Sequence, residues 1–126
     1  HIANSLNKIG SVYKELGEYQ KALQYHQQAL EINQAAHTGN HPNIAISVHD
    51  LGSVYQELGK YQEALDYFEQ ALKIGQAIYA GNHPNIATAL NNKGSVYFDL
   101  AECQEALQYH QQALGMYQAI YPGNHP

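Results

Sequence analysis

Histidine and cysteine are the side chains in this sequence with the most chemistry to offer. The chain has eight histidines, and His41, His83 and His125 recur every 42 residues, each directly before a proline. Such a row suggests a metal site, because neutral imidazole is a common zinc ligand. The spacing argues against one. If each recurrence marks one structural unit, neighbouring copies stand about 10 Å apart, the separation of packed helices. Zinc–nitrogen bonds are only about 2 Å long. The expectation is a structural loop histidine beside proline, with no metal and no other cofactor. The single cysteine, Cys103, falls at the position of Tyr19 and Tyr61 in the same period. A nucleophilic thiol needs a base to activate it and a group to orient it. The sequence points to neither, and the neighbouring Glu102 and Glu105 oppose thiolate formation. One thiol cannot close an internal disulfide, which fits a reducing, intracellular (cytoplasmic) compartment. No glycine-rich phosphate loop, zinc knuckle or nucleophile elbow is present. The chain is therefore expected not to be an enzyme.

The elements that would position these residues are set by a repeat. Gly-Ser-Val-Tyr, followed at fixed distance by Leu and then Ala-Leu, runs from Gly10 to Leu23, Gly52 to Leu65 and Gly94 to Leu107. A constant period of this size is the signature of a stacked repeat protein. We read residues 1–126 as a single repeat domain with units 1–40, 41–82 and 83–124, and 125–126 as the start of a truncated next unit. The chain reads as a stretch of a longer array.

Within the second unit, Ile44, Val48, Leu51, Tyr55 and Leu58 form one stripe of a helix. Gly59 then supplies the left-handed conformation that closes a helix. A second helix is expected over 61–79, with Ala64, Leu65, Phe68, Ala71, Leu72 and Ile78 facing inward. Gly81-Asn82 ends it. Pro84 suits the first turn of the next helix, with Asn82 or His83 as its cap. Short connections make neighbouring helices antiparallel. Gly52 and Ala64 are small so that two helix axes can approach closely, and a larger residue at Gly52 would overpack the crossing. His26 and His110 fall in the aromatic slot held by Phe68 and are expected to pack there, with no partner carboxylate nearby in sequence. The tyrosine rows, part of a total of eleven, are expected to pack within and between units rather than to stack bases.

These residues resemble the tetratricopeptide repeat. The family's pattern is matched by Val48, Leu51-Gly52, Tyr55, Ala64, Phe68 and Ala71 in the second unit. The first unit offers Leu6, Ile9-Gly10, Tyr13, Ala22, His26 and Ala29, and the third Leu90, Lys93-Gly94, Tyr97, Ala106, His110 and Ala113. The ordinary unit has about 34 residues. A period of 42 is closer to the repeats of kinesin light chains and of many bacterial arrays. Tryptophan is absent, and Gln34 and Gln76 stand where the closing proline would be. The resemblance implies an all-α, right-handed solenoid of three antiparallel helix hairpins. It also implies a non-catalytic scaffold that binds a peptide or protein segment in a concave groove lined by the first helix of each unit.

The groove positions implied by the resemblance are Asn7, Ser11 and Lys14 in the first unit. They are His49, Ser53 and Gln56 in the second, and Asn91, Ser95 and Phe98 in the third. Each trio has spacing i, i+4, i+7 and so shares a helix face, opposite the apolar stripe. Lys8, Asp50 and Asn92 flank them. Side-chain amides can both donate to and accept from an extended peptide backbone. Only the first unit offers bases, Lys8 and Lys14, which argues against a lysine-rich clamp for a terminal carboxylate. His49 is a groove histidine placed to titrate and modulate binding.

Composition narrows the partners. The net charge of −5 argues against nucleic acid, whose binders show a basic face. No apolar run approaches the roughly 18 residues of a membrane span. The alternative to a groove binder is a structural, self-associating element. Leu107, Leu114, Met116 and Ile120 have no following unit to cover them, and the first helix has none before it, so end-to-end oligomers are expected. The third unit adds a second route. Ala101 replaces Gly17 and Gly59 in the turn, and Lys93 interrupts the apolar stripe. That turn is weakly encoded, and opening it would permit a domain-swapped dimer.

Overall fold

The computed structural model describes residues 2–123, so His125 and the start of the next unit lie outside it. The described residues form six helices and no strand. They are α1 (Ile2–Glu15), α2 (Tyr19–Ala36), α3 (Pro42–Glu57), α4 (Tyr61–Ile78), α5 (Pro84–Asp99) and α6 (Cys103–Ile120). Consecutive helices pair as hairpins, α1 with α2, α3 with α4 and α5 with α6. Each second helix then packs on the next first helix. The result is the all-α solenoid expected from the repeat.

Each hairpin is pinned where its two helices cross. A Cβ added at Gly52 would lie 2.8 Å from the Phe68 ring, and one at Gly10 or Gly94 would lie 2.8 or 2.9 Å from His26 or His110. No side chain other than hydrogen fits there, so glycine sets the distance between the axes. Ala22, Ala64 and Ala106, at most 4% exposed, face the same crossing. One turn away, Tyr13–Tyr25, Tyr55–Tyr67 and Tyr97–Tyr109 stack at 5.5 Å between centroids in every hairpin.

Between hairpins, Leu30 packs with Ile44, Val48 and Leu51, a cluster that Ala71 of their own hairpin joins. Leu72 packs with Ile86 and Leu90 in the same way. Lys93 does not break this pattern. It is buried, its stem taking the position of Ile9 and Leu51, while its ammonium pairs with Glu69 and sits 4.6 Å from the Tyr109 ring centroid. Burial alone would lower the lysine's pKa, but the Glu69 carboxylate and the Tyr109 hydroxyl outweigh it and raise it.

The connections are chemically explicit. His41 and His83 cap α3 and α5, each ring Nδ1 accepting the backbone N–H two residues on, Asn43 or Asn85, at 3.1 Å. Pro42 and Pro84 follow at the helix start, where a missing N–H is harmless. His41 stacks on His37 and His83 on Tyr79, both at 3.5 Å between centroids. His41 and His83 are thus helix caps, and an Nδ1 engaged as an acceptor is not free for a metal.

The third hairpin turn is closed, like the first two. Glu102 N–H reaches Tyr97 C=O at 2.9 Å and Ala101 N–H reaches Phe98 C=O at 2.9 Å. The same pair of bonds joins Lys60 to Tyr55 and Gly59 to Gln56. This is the Schellman arrangement, and it needs a left-handed residue. Gly17 and Gly59 adopt φ of 78° and 76°, and Ala101 is held at 62°. An alanine in that region costs on the order of 1 kcal/mol relative to glycine. Ala101→Gly is expected to stabilise the fold by about 0.5–1 kcal/mol, read as a melting temperature a few degrees higher. An unchanged or lower melting temperature would contradict the strain at this turn.

Candidate functional site

The residues expected to line a groove lie on α1, α3 and α5, and the structure divides them by what they touch. Asn7 corrects the expectation of an open groove position. It is only 7% exposed, its Oδ1 lies 2.9 Å from His26 Nδ1, and its amide donates toward Ser47 Oγ at 3.4 Å. Asn91 makes the same contact with His110 Nδ1 at 2.9 Å and is half-buried. In the middle hairpin both partners change together. His49 replaces the asparagine, Phe68 replaces the histidine, and their rings meet at 5.9 Å, tilted by 53°.

Other residues of the face bond from one hairpin to the next. Asn92 donates its amide to His49 Nδ1 at 3.0 Å, and Gln56 donates to Asp99 Oδ2 at 2.9 Å. Ser53 and Ser95 are half-buried and Ser11 is exposed, and none of the three makes a side-chain hydrogen bond among the described residues. Lys14 is half-buried. Phe98, at the same position of its hairpin, is 66% exposed. The face is therefore a ladder of internal polar bonds edged by serines, with a lysine at one end and a bare phenyl ring at the other.

The electrostatics centre on the first two hairpins. His26 is fully buried, and its Nδ1 lies 3.7 Å from Asp50 Oδ2. The sequence near His26 offers no carboxylate; the stacking of α3 on the first hairpin supplies one. Burial pushes His26 down to about 4, with the positive charge of Lys14 and then His49 adding to it. Burial pushes Asp50 up to about 6, partly offset by Lys14. His49 is lowered, again mainly by burial and then by Lys14. Asn33 extends the network, donating to Ser47 Oγ at 3.1 Å and to Asn43 C=O at 3.2 Å. The alternation of Asn7/His26 with His49/Phe68 was a readable signal for part of this network. Asp50 and Asn33 had none, because their partners lie in other hairpins.

Among the described residues, no group of three or more His, Cys, Asp or Glu side chains could hold a metal ion. Cys103 is exposed. The arrangement offers hydrogen-bonding groups, one lysine and an exposed aromatic on a rigid surface. That suits recognition of another chain.

Helix hairpins of constant length, stacked in register with a glycine at each crossing, define a helical repeat protein. The family model for the tetratricopeptide repeat matches residues 1–77 and 47–119, and the chain belongs to that family. Among solved structures, BtubC (BKLC) from P. vanneervenii superposes with a TM-score of 0.87 at 26% identity, covering 98% of this chain and 49% of that one. The TPR-like repeats of a protein from Podosopora anserina assigned as a kinesin light chain give 0.85 at 24%, covering 100% and 61%. The TPR domain of Arabidopsis FLU gives 0.79 at 23%, covering 93% and 95%. This chain spans about half the length of the BtubC chain it matches. No curated protein matches it significantly. Repeats of this family generally mediate protein–protein interaction and are typically non-catalytic.

His26 and Asp50 make opposite contributions to stability. His26, depressed from 6.5 to about 4, takes up its proton more readily when unfolded, so its contribution falls as pH drops through that window. Asp50, raised from 3.8 to about 6, holds its proton more tightly when folded, so its contribution grows as pH drops from 6 to 4. Wild-type stability should change little between about pH 6.5 and 4 on account of this pair. Asp50→Asn removes the compensating group, and denaturant melts should then show stability falling steeply over the same range. Parallel pH profiles for the two proteins would refute the coupling.

Proposed function

We propose that this chain is a non-catalytic scaffold that takes a peptide or protein segment along the face of α1, α3 and α5, within an intracellular protein. The observation that carries this reading is Phe98. It stands 66% exposed at the end of a polar row, where the other two hairpins have Lys14 and Gln56. Exposed aromatics on a rigid surface are the usual anchors of protein recognition. The rest of the row supports it. On this face the serine repeats, but the position of Lys14, Gln56 and Phe98 differs in every hairpin, as it would if each met a different part of a partner. Asn91, Asn92 and Gln56 are engaged in internal bonds, so Ser11, Ser53, Ser95, Lys14 and Phe98 are the contacts left for a ligand. A peptide selected from a random library against this chain should lose affinity by about tenfold or more on Phe98→Ala, and similarly on Ser95→Arg. A selected peptide indifferent to both changes would place its binding elsewhere.

A second reading, self-association, has its own observation. Val12 on α1 is 58% exposed, and Leu107 and Leu114 on α6 are 53% and 55% exposed. The equivalent residues Val54, Leu65 and Leu72 of the middle hairpin are buried against their neighbours. One end thus carries a copy of the surface that the other end is built to cover, a head-to-tail pairing that does not close on itself. Light scattering should show a mass that rises with protein concentration, and Leu107→Glu with Leu114→Glu should return it to the monomer. A monomer mass for the unaltered chain at every concentration would remove this reading, the swapped third hairpin included.

A further inference from the structure

The crevice between α3 and α5 is not packed like the one between α1 and α3. In the first crevice Asn33 and Ser47 meet in the middle and bond at 3.1 Å, with the Asn33 amide also reaching Asn43 C=O. At the same positions one period later the chain has Gly75 and Ala89. Both partners of the polar plug are missing together, and a pocket of about 210 Å³ opens in their place. Its walls are apolar, with Ala45 and Ile46 from α3 facing Ile74 and Ile78 from α4. Asn85, Thr88 and Tyr79 contribute polar groups to the lining, and His49 belongs both to it and to the polar row on the first helices. Ile46 is 49% exposed, whereas the equivalent residues of the other hairpins are the polar Asn4 and Thr88. One period further on the position of Gly75 is filled by Tyr117. The small pair that leaves this space, Gly75 with Ala89, is therefore particular to the second crevice and not a property of the repeat.

Its size and lining limit the occupant. A cavity of about 150 Å³ lined by apolar side chains holds benzene, and sites for free drug-sized ligands run from about 300 Å³ upward. At about 210 Å³ this pocket fits one phenyl or branched aliphatic group. None of its lining residues is a carboxylate, lysine or arginine, so a charged side chain would be buried there without a partner.

We propose that this pocket is a specificity site that receives one uncharged, phenyl- or leucine-sized side chain of a peptide lying along α1, α3 and α5. The proposal rests on the groove reading above and adds to it which side chain the partner must carry and where it docks. Asn85, whose amide donates to the Tyr79 hydroxyl at 3.3 Å, and His49, whose Nδ1 accepts from Asn92 at 3.0 Å, hold the polar part of the pocket lining in place.

The test compares three blocked amino acids as probes, N-acetyl-phenylalaninamide, N-acetyl-leucinamide and N-acetyl-glycinamide, titrated into the whole chain at millimolar concentrations. Saturable amide shifts at Ile46, His49, Gly75 and Thr88 are expected with the first two and not with the third. Gly75→Asn combined with Ala89→Ser copies the first crevice into the second. The isoleucine that would meet a Cβ at Gly75, Ile86 at 3.1 Å, has Ile44 as its counterpart beside Asn33, so this variant has a precedent for folding. Retained helical dichroism and cooperative melting check that it does fold. It should weaken both apolar probes by about tenfold to a hundredfold. Equal shifts with all three probes, no shifts with any, or undiminished binding by the refilled variant would each overturn the proposal. Library-selected peptides separate it from the groove reading. Peptides lost on Ser95→Arg but indifferent to the refilled crevice uphold the groove and overturn the pocket. Failure to select any peptide while the apolar probes still bind removes the groove reading and with it the pocket's role as a peptide site.

Discussion

The close crossing of two helices over a glycine is the constraint from which the rest of this structure follows. At Gly10, Gly52 and Gly94 the facing ring lies so near that even a methyl group would collide with it. That contact fixes the separation of the axes, and the stacked tyrosine pairs fix their rotation. With both set, each hairpin presents the same apolar side, and the next can dock on it with the same geometry. The order of the polar face is a by-product of this packing, since identical hairpins stacked identically bring their outer residues into rows.

Slots that repeat leave room for paired changes. Histidine fills the ring slot in the first and third hairpins, and each time an asparagine on the facing helix satisfies the imidazole nitrogen. Phenylalanine fills it in the second and needs no such partner, and the asparagine there has become His49. A buried imidazole without its amide would leave an unsatisfied polar atom, which costs about 1–3 kcal/mol. The pairs thus change together because neither residue is tolerable with the other's partner. Asn33 with Ser47, replaced by Gly75 with Ala89, follows the same logic across a crevice instead of within a hairpin.

Features governed by the period were legible in the sequence, and features governed by the stacking were not. The six helices, the turns and the glycine crossings appear three times in phase, so each copy vouches for the others. The cap was narrowed to Asn82 or His83, and the ring nitrogen of His83 decides between them. Asn7 misled because helical spacing gives a direction but not what lies along it; the next hairpin leans over that position and buries it. Asp50 beside His26 could not be foreseen, as the 23 residues between them encode nothing about their approach. Lys93 reads as a flaw in an apolar stripe, but a long aliphatic stem can pack like leucine while its charge reaches past the core. Ala101 sets local helix propensity against two closing hydrogen bonds, and the bonds win in the folded chain.

The ion pair between Lys93 and Glu69 has a bearing on assembly as well as on packing. Near-identical modules in one chain face a sorting problem during folding, since any module's docking surface can accept a wrong neighbour, and such misassembly is a characteristic hazard of repeat arrays. Lys93 must bury its charge wherever the third hairpin docks. Only the second hairpin offers a carboxylate to receive it, because Gln27 and Gln111 stand at the positions of Glu69 in the first and third. Docking on the first hairpin instead would strand an ammonium against a neutral amide, a costly arrangement for a buried charge. One charged pair in an otherwise uniform seam thus acts as a key, giving the modules an order that their shared surfaces cannot supply.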